Sequence, residues 1–259
     1  MGSVKILSKR EAQRMREAGA LAAETLCHVG RLLEAGMTTE DINTIVHDYT
    51  LAAGARPAPL NYKGFPKSVC TSVNHVVCHG IPGPQKLRDG DIINVDVTSV
   101  LPAVNGWFGD TSATFYIGEP SALTKHVVEV ARECLELGIA VVKPGARIGD
   151  IGHAIQTYAE AKGCSVVRTY TGHGIHRIFH DSPSVPPEMM TSLALAPLPA
   201  NALGVAPPSS PPLGTLLSSP SLGGDTWQVH ELQQVLDAAQ DAGVRLPKPA
   251  RLEQRVDGF

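Results

Sequence analysis

Residues 1–185 of this 259-residue chain predict one domain of mixed helices and strands, the pattern of an α/β enzyme, and residues 186–259 predict a tail of different character. Three observations carry that division. Helix-start signatures recur ahead of amphipathic runs, short segments alternate apolar and polar residues, and the composition changes abruptly after Pro186.

Ser8 with Glu11 three residues on forms a capping box, and helix-forming residues continue to Gly36. Thr38 and Asp41 repeat the signature, and Ile42, Ile45, Val46 and Tyr49 recur at helical spacing before Gly54. Strands are expected at Val73–Cys78 and, behind the turn residues Asp89-Gly90-Asp91, at Ile92–Thr98. A third, Ser112–Ile117, follows the hairpin signal Asn105-Gly106. A long helix is expected at Leu123–Val142, broken by Pro144-Gly145, and another at Asp150–Lys162. Gly36, Asp41, Ile42, Val46, Tyr49 and Gly54 reappear as Gly145, Asp150, Ile151, Ile155, Tyr158 and Gly163, each 109 residues later. Two unrelated capped helices ending in glycine would also look like this. The sharper reading is a duplicated helix–strand unit with a site between its halves.

The net charge of −3 provides no basic field for nucleic acid or an acidic membrane, and no run of eighteen apolar residues predicts a membrane span. The first ten residues lack the apolar run of a secretory signal. Five scattered cysteines without a C-x-x-C pair argue against a disulfide framework and for a reducing cytoplasm. Residues 187–224 hold eight prolines, six serines and four glycines with Glu188 as the single charged residue, a composition that predicts disorder. A short amphipathic helix is expected again at 228–242.

The chemistry is concentrated in three places. In Ile92–Thr98, alternation puts Ile93, Val95 and Val97 on one face and Asn94, Asp96 and Thr98 on the other. A carboxylate in mid-strand is costly unless a cation or partner compensates it. Asp110 lies in Gly109-Asp-Thr-Ser112, at the start of the returning strand, where it could face Asp96 and help chelate a hard divalent cation. Taken singly, each aspartate reads as a turn or ladder-end residue bonded to backbone. Thr171-Gly-His-Gly-Ile175, with Phe179-His180 behind it, places His173 between glycines, and His79 lies in the similar Val77-Cys-His-Gly-Ile-Pro82. A lone histidine is more often structural. Two His-Gly-Ile segments with two strand carboxylates shift the balance towards a metal-assisted hydrolase.

Tyr62 to Pro82, Gly90 to Thr98, Gly106 to Ser112 and Thr171 to His180 closely resemble the type I methionine aminopeptidases, over about Lys9 to Pro186. The resemblance implies an α+β pita-bread fold, a pseudo-twofold pair of αβ halves, and removal of the N-terminal methionine from new chains. It implies Asp96, Asp110 and His173 as metal ligands and His79 and His180 as catalytic residues that contact substrate. Tyr62, Phe65, Cys70 and Phe179 match the methionine pocket. Two divalent ions of the manganese, iron or cobalt type are implied, with a monovalent cation near Asn74 and Val76. The implied setting is nascent-chain N-termini at the ribosome, in the cytoplasm, with a monomeric protein that contacts neither DNA nor membrane.

Two departures stand out. The family separates its aspartates by eleven residues, whereas Asp96 and Asp110 are fourteen apart. An odd shift reverses strand parity unless the hairpin tip near Pro102 absorbs it, which is the expectation here. The family's two further ligand glutamates, in Glu-Pro and Glu-His-Thr segments, have no counterpart. Beyond His180 the only glutamates are Glu188, Glu231 and Glu253. The expectation is therefore a truncated pita-bread domain over 1–185, ended by a frame disruption or an alternative C-terminus, with impaired hydrolysis. The alternative is a pita-bread protein that binds peptide or nascent-chain ends without cleaving them.

Overall fold

The computed structural model describes residues 5–167, 170, 172–185 and 196–197. Its first half builds one antiparallel sheet under two helices. Helix α1 (Lys9–Gly30) starts at the Ser8–Glu11 capping box, and α2 (Thr39–Ala52) starts at a second box formed by Thr38 and Asp41. The central strand β3 (Ile92–Leu101) pairs along its whole length with β4 (Trp107–Tyr116). Its other edge takes β2 (Cys70–Val73) opposite Ile93–Asp96, and the short β1 (Arg56–Pro57) opposite Ser99–Val100.

Alternation decides what each face of β3 does. Ile93, Val95 and Val97 are fully buried against Ala22, Leu26 and Val29 of α1 and Ile42 and Val46 of α2. Asn94, Asp96 and Thr98 point to the opposite face, away from both helices. Helix α1 lies very close to β4: a Cβ on Gly109 would sit 2.1 Å from the Ala18 carbonyl oxygen, so only glycine permits the contact.

In the second half, α3 (Ala122–Ala140) and α4 (Ile148–Ala161) pack through Val130, Cys134, Ile155 and Ala159. Strand β5 (Cys164–Ser165) pairs with β8 (Ala196–Pro197), and β6 (Gly172–Gly174) pairs with β7 (Asp181–Val185). The 109-residue echo is structural. Helices α2 and α4 have equal length and bounds displaced by that number. In each, a backbone N–H ahead of the helix donates to an aspartate: Thr38 to Asp41 at 2.8 Å and Arg147 to Asp150 at 2.7 Å. Each is followed by a glycine in the left-handed region, Gly54 and Gly163, both at φ 73°.

Several expected boundaries move. The strand expected at Val73–Cys78 is instead β2 at Cys70–Val73, because Asn74 turns left-handed at φ 52°. The Asn74 amide then donates to Asp91 and accepts from the Ile92 N–H, which ends β2 at the start of β3. Helix α1 ends at Gly30 rather than Gly36. Strand β4 begins at Trp107, five residues before the expected start, because pairing follows the hairpin back to its tip. Of 187–224, where disorder is expected, Ala196 and Pro197 are described and pair as β8 with β5; the rest of that stretch, the helix at 228–242 and the three late glutamates lie outside the described residues. No helix among the described residues is long and apolar enough to cross a membrane.

Candidate active site

The polar face of β3 gathers the candidate residues. Asp96 stands opposite Ser112, and Asp110 stands opposite Thr98, two positions along the same ladder. The ladder runs without a bulge from Ile92–Tyr116 to Leu101–Trp107, so all four residues share one face. The ladder closes through the connection Pro102–Gly106, so the two aspartates, fourteen apart in the chain, still share one face.

Asp96 and Asp110 lie close enough on this face for each to influence the other's charge. Both titrate above the ordinary carboxylate range. For Asp96 the causes are burial and then the Asp110 charge. For Asp110 burial dominates, opposed by the Thr98 hydroxyl, which donates to Oδ1 at 3.0 Å, and by the His173 and His79 charges. His173, on β6, brings Nε2 to 3.8 Å from Asp110 Oδ2. It reaches the site because Gly174 lets the strand pass close: a Cβ there would lie 2.2 Å from the Ser182 carbonyl oxygen.

Beside the carboxylates lies an aromatic cluster. Phe179 stacks on Phe108 at 5.3 Å between centroids and tilts against Tyr62 at 4.9 Å. His180 lies 4.3 Å from the His173 ring and stacks on Tyr62 at 5.2 Å. Its Nδ1 is hydrogen-bonded to the Tyr62 hydroxyl at 2.9 Å. Burial, followed by the His173, Lys63 and His79 charges, pushes His180 down to about 4, so the ring is neutral at pH 7. Cys70 stands opposite Asp96 across β2 and β3. Burial and the two aspartates raise its thiol above the usual range, which keeps it a neutral, soft wall.

His79 is exposed, left-handed at φ 55°, and edge-on to Tyr170 at 5.7 Å. Gly80 behind it presses on β2, where a Cβ would meet the Thr71 carbonyl oxygen at 2.1 Å. Phe65 is half-buried at the end of the Tyr62 turn, held by an N–H bond to the Tyr62 carbonyl, and stacks on none of the other described rings. Asn74 and Val76 lie in the turn after β2, with the Asn74 side chain engaged by Asp91 and Ile92. Asp96, Asp110, His173, His180, Tyr62, Phe179 and Cys70 therefore form one group, with His79 at its rim and Phe65 to one side.

Two residues escape sequence reasoning. Phe108 completes the aromatic stack, and His176, between His173 and His180 in the chain, is hydrogen-bonded through Nε2 to the Asp181 carboxylate. Alternation along β4 could have flagged Phe108, which lies two positions from Asp110. His176 carries no local signal beyond its neighbours.

Two oxygen-rich carboxyl groups and an imidazole have the chemistry of a divalent cation's ligands, and the upward shift of both carboxyls marks where positive charge is wanted. The fit is partial. Among the described residues, no three His, Cys, Asp or Glu side chains close into a metal-holding group.

A family model described as metallopeptidase family M24 matches residues 13–201. The chain is 51% identical over 183 residues to a methionine aminopeptidase of Rickettsia prowazekii, covering 71% of this chain and 70% of that protein. It is 53% identical over 185 residues to methionine aminopeptidase A of Synechocystis, covering 71% and 72%. The crystal structure of methionine aminopeptidase from Rickettsia prowazekii superposes with a TM-score of 0.69 at 50% identity, over 71% of this chain and 73% of that one.

Proposed function

The chain belongs to metallopeptidase family M24, among the type I methionine aminopeptidases with the α+β pita-bread fold, and from that premise we propose that its site binds the methionyl end of nascent polypeptides and hydrolyses the first peptide bond slowly. The observation that carries this reading is the convergence of Asp96, Asp110 and His173 beside the Tyr62–Phe179–Cys70 wall. Asp96, Asp110 and His173 would hold a divalent metal of the manganese, iron or cobalt type. That metal supplies an acidified water and a polarised carbonyl.

The chain's own residues do the rest. Tyr62, Phe179 and Cys70 offer the methionine thioether an apolar, polarisable wall, which Phe65 extends. With Tyr62 donating to Nδ1, the proton of neutral His180 resides on Nε2, where it can donate to a carbonyl oxygen gaining charge. His79 would serve the same oxygen from the rim and orient the peptide. A monovalent cation near Asn74 and Val76 would brace the turn after β2. The natural setting is the ribosome in the cytoplasm, with the chain acting as a monomer.

Hydrolysis is impaired in this reading because the chain lacks the family's Glu-Pro and Glu-His-Thr segments. Two carboxylates and one imidazole cannot neutralise two dications, which favours one metal and weak binding. Calorimetric titration with manganese or cobalt, followed by cleavage of a Met-Gly-x peptide, tests the proposal. One weak metal with turnover well below that of a complete methionine aminopeptidase is expected; turnover equal to it overturns the impairment. The partial donor set among the described residues also supports a second reading, a peptide-binding protein that does not cleave. Peptide binding with no product at any metal concentration would select it.

A further inference from the structure

We propose that His176 and Asp181 are positioning residues: their side-chain hydrogen bond closes the stem of the 175–180 loop and thereby aims Phe179 and His180 at the peptide site, an inference resting on the peptide-binding role given to those two side chains above. The pair joins His176 Nε2 to Asp181 Oδ2, with the His176 side chain only 13% exposed. Asp181 stands opposite Gly174 across β6 and β7, so the bond spans the loop at its base. The loop is also pinned to the first half of the molecule. The Phe108 N–H donates to the His176 carbonyl at 2.8 Å, and Arg177 Nη2 donates to the Asn105 carbonyl at 3.1 Å. The His176 ring lies edge-on to Trp107 at 6.5 Å, and the Arg177 guanidinium sits 6.0 Å over the same indole.

These contacts fix both ends of a six-residue loop whose tip carries the stacking ring and the Tyr62-bonded imidazole. Phe108 is the shared element. Its backbone N–H anchors His176 and its ring receives Phe179, so loop position and ring stacking are set by one residue of β4. Without that bond, the Asp181 end of the loop would rest on the β6–β7 ladder, which already shifts register after His173. A positioning group of this kind acts by restricting the rotamers and backbone of the residues that touch the ligand.

The test uses the metal-free full-length chain labelled with 15N-histidine. The imidazole resonance that changes in Tyr62→Phe identifies His180. In His176→Ala and Asp181→Ala that resonance is expected to move fully to its Tyr62→Phe position, while the far-UV circular dichroism stays that of the parent. The double variant His176→Gln/Asp181→Asn keeps an N–H to oxygen bond and is expected to restore the parent resonance. The proposal is overturned if the alanine variants retain the parent resonance, if they lose the helical signal, or if the double variant behaves like them. It is likewise overturned if no resonance responds to Tyr62→Phe. Since neither metal nor peptide is present, absence of hydrolysis would defeat the proposed function and leave this result standing.

Discussion

Asp96 and Asp110 are held close together on one face of the sheet, which makes the metal-free site a source of instability at neutral pH. Their carboxyl groups titrate above the ordinary range, so the folded chain binds more protons than the unfolded one between the two values. Stability contributed by this pair is therefore full in acid and falls as pH rises through the raised folded values. Asp96→Asn removes one of the two charges and keeps a donor for Asp110. It is expected to raise the melting temperature of the metal-free chain at pH 7–8, by about 2–4 °C for each kcal/mol relieved, with the gain vanishing below pH 4. A melting-temperature series against pH checks this, and an unchanged or lowered Tm at pH 8 would refute it. The same substitution should weaken manganese binding, since it removes a ligand oxygen's charge. Glycines divide in the same concrete way. Gly109→Ala forces β4 off the α1 backbone and should cost about 3 kcal/mol or more in urea unfolding. Gly30→Ala meets the buried Phe115 ring at 2.4 Å, a side chain and not backbone, so the core must repack around it and its loss should be the smaller of the two.

At the scale of elements, the helix starts are set by side chains that a reader of the sequence can see. Glu11 accepts from the Ser8 backbone N–H and pairs with Lys5, and these bonds bring its carboxyl down to about 2. A depressed carboxylate stabilises above its unfolded value and loses that contribution as pH falls towards the folded one. The Tm difference between the parent and Glu11→Gln should thus be full above pH 5 and shrink progressively as the pH approaches 2. A difference that grows on acidification would contradict it. The capping boxes of α1 and α2, the alternation along β3 and the glycine stops after α2 and α4 were all legible because each depends on residues within one turn or one ladder step. The turn after β2 was not. Val73–Cys78 has the composition of a strand, and only the Asn74 bond to Ile92, eighteen residues away, ends the strand early. The candidate site divides similarly. Asp96, Asp110, His173 and His180 announce themselves in local motifs, whereas Phe108 and His176 acquire their importance from contacts between distant segments.

For the molecule as a whole, the two halves are unequal. The first half has a continuous core running from Ala22 through Ile93 and Val95 to Ile117. The second is held among the described residues by a smaller cluster of Val130 and Cys134 on α3, Ile155 and Ala159 on α4 and Cys164 on β5, while Ile139 on α3 and Val142 just after it remain 59% and 67% exposed. Local opening follows local burial, so amides of α3 and α4 should exchange with deuterium well before those of β3. Equal protection in the two halves would show that the second is buttressed to the same degree as the first. The pseudo-twofold relation was readable from the 109-residue offset because it is carried by caps and glycines. The imbalance was not, since burial depends on what covers each helix.

The uninterrupted β3–β4 ladder has one more consequence. Since both aspartates lie within the ladder and the connection lies beyond Leu101 and Trp107, residues can be gained or lost in that connection while the gap across the sheet stays constant. A search pattern that demands a fixed interval would pass over this chain, although its backbone presents the same pair of acids. By the same logic, the tip is where a foreign peptide could be spliced in without disturbing either one.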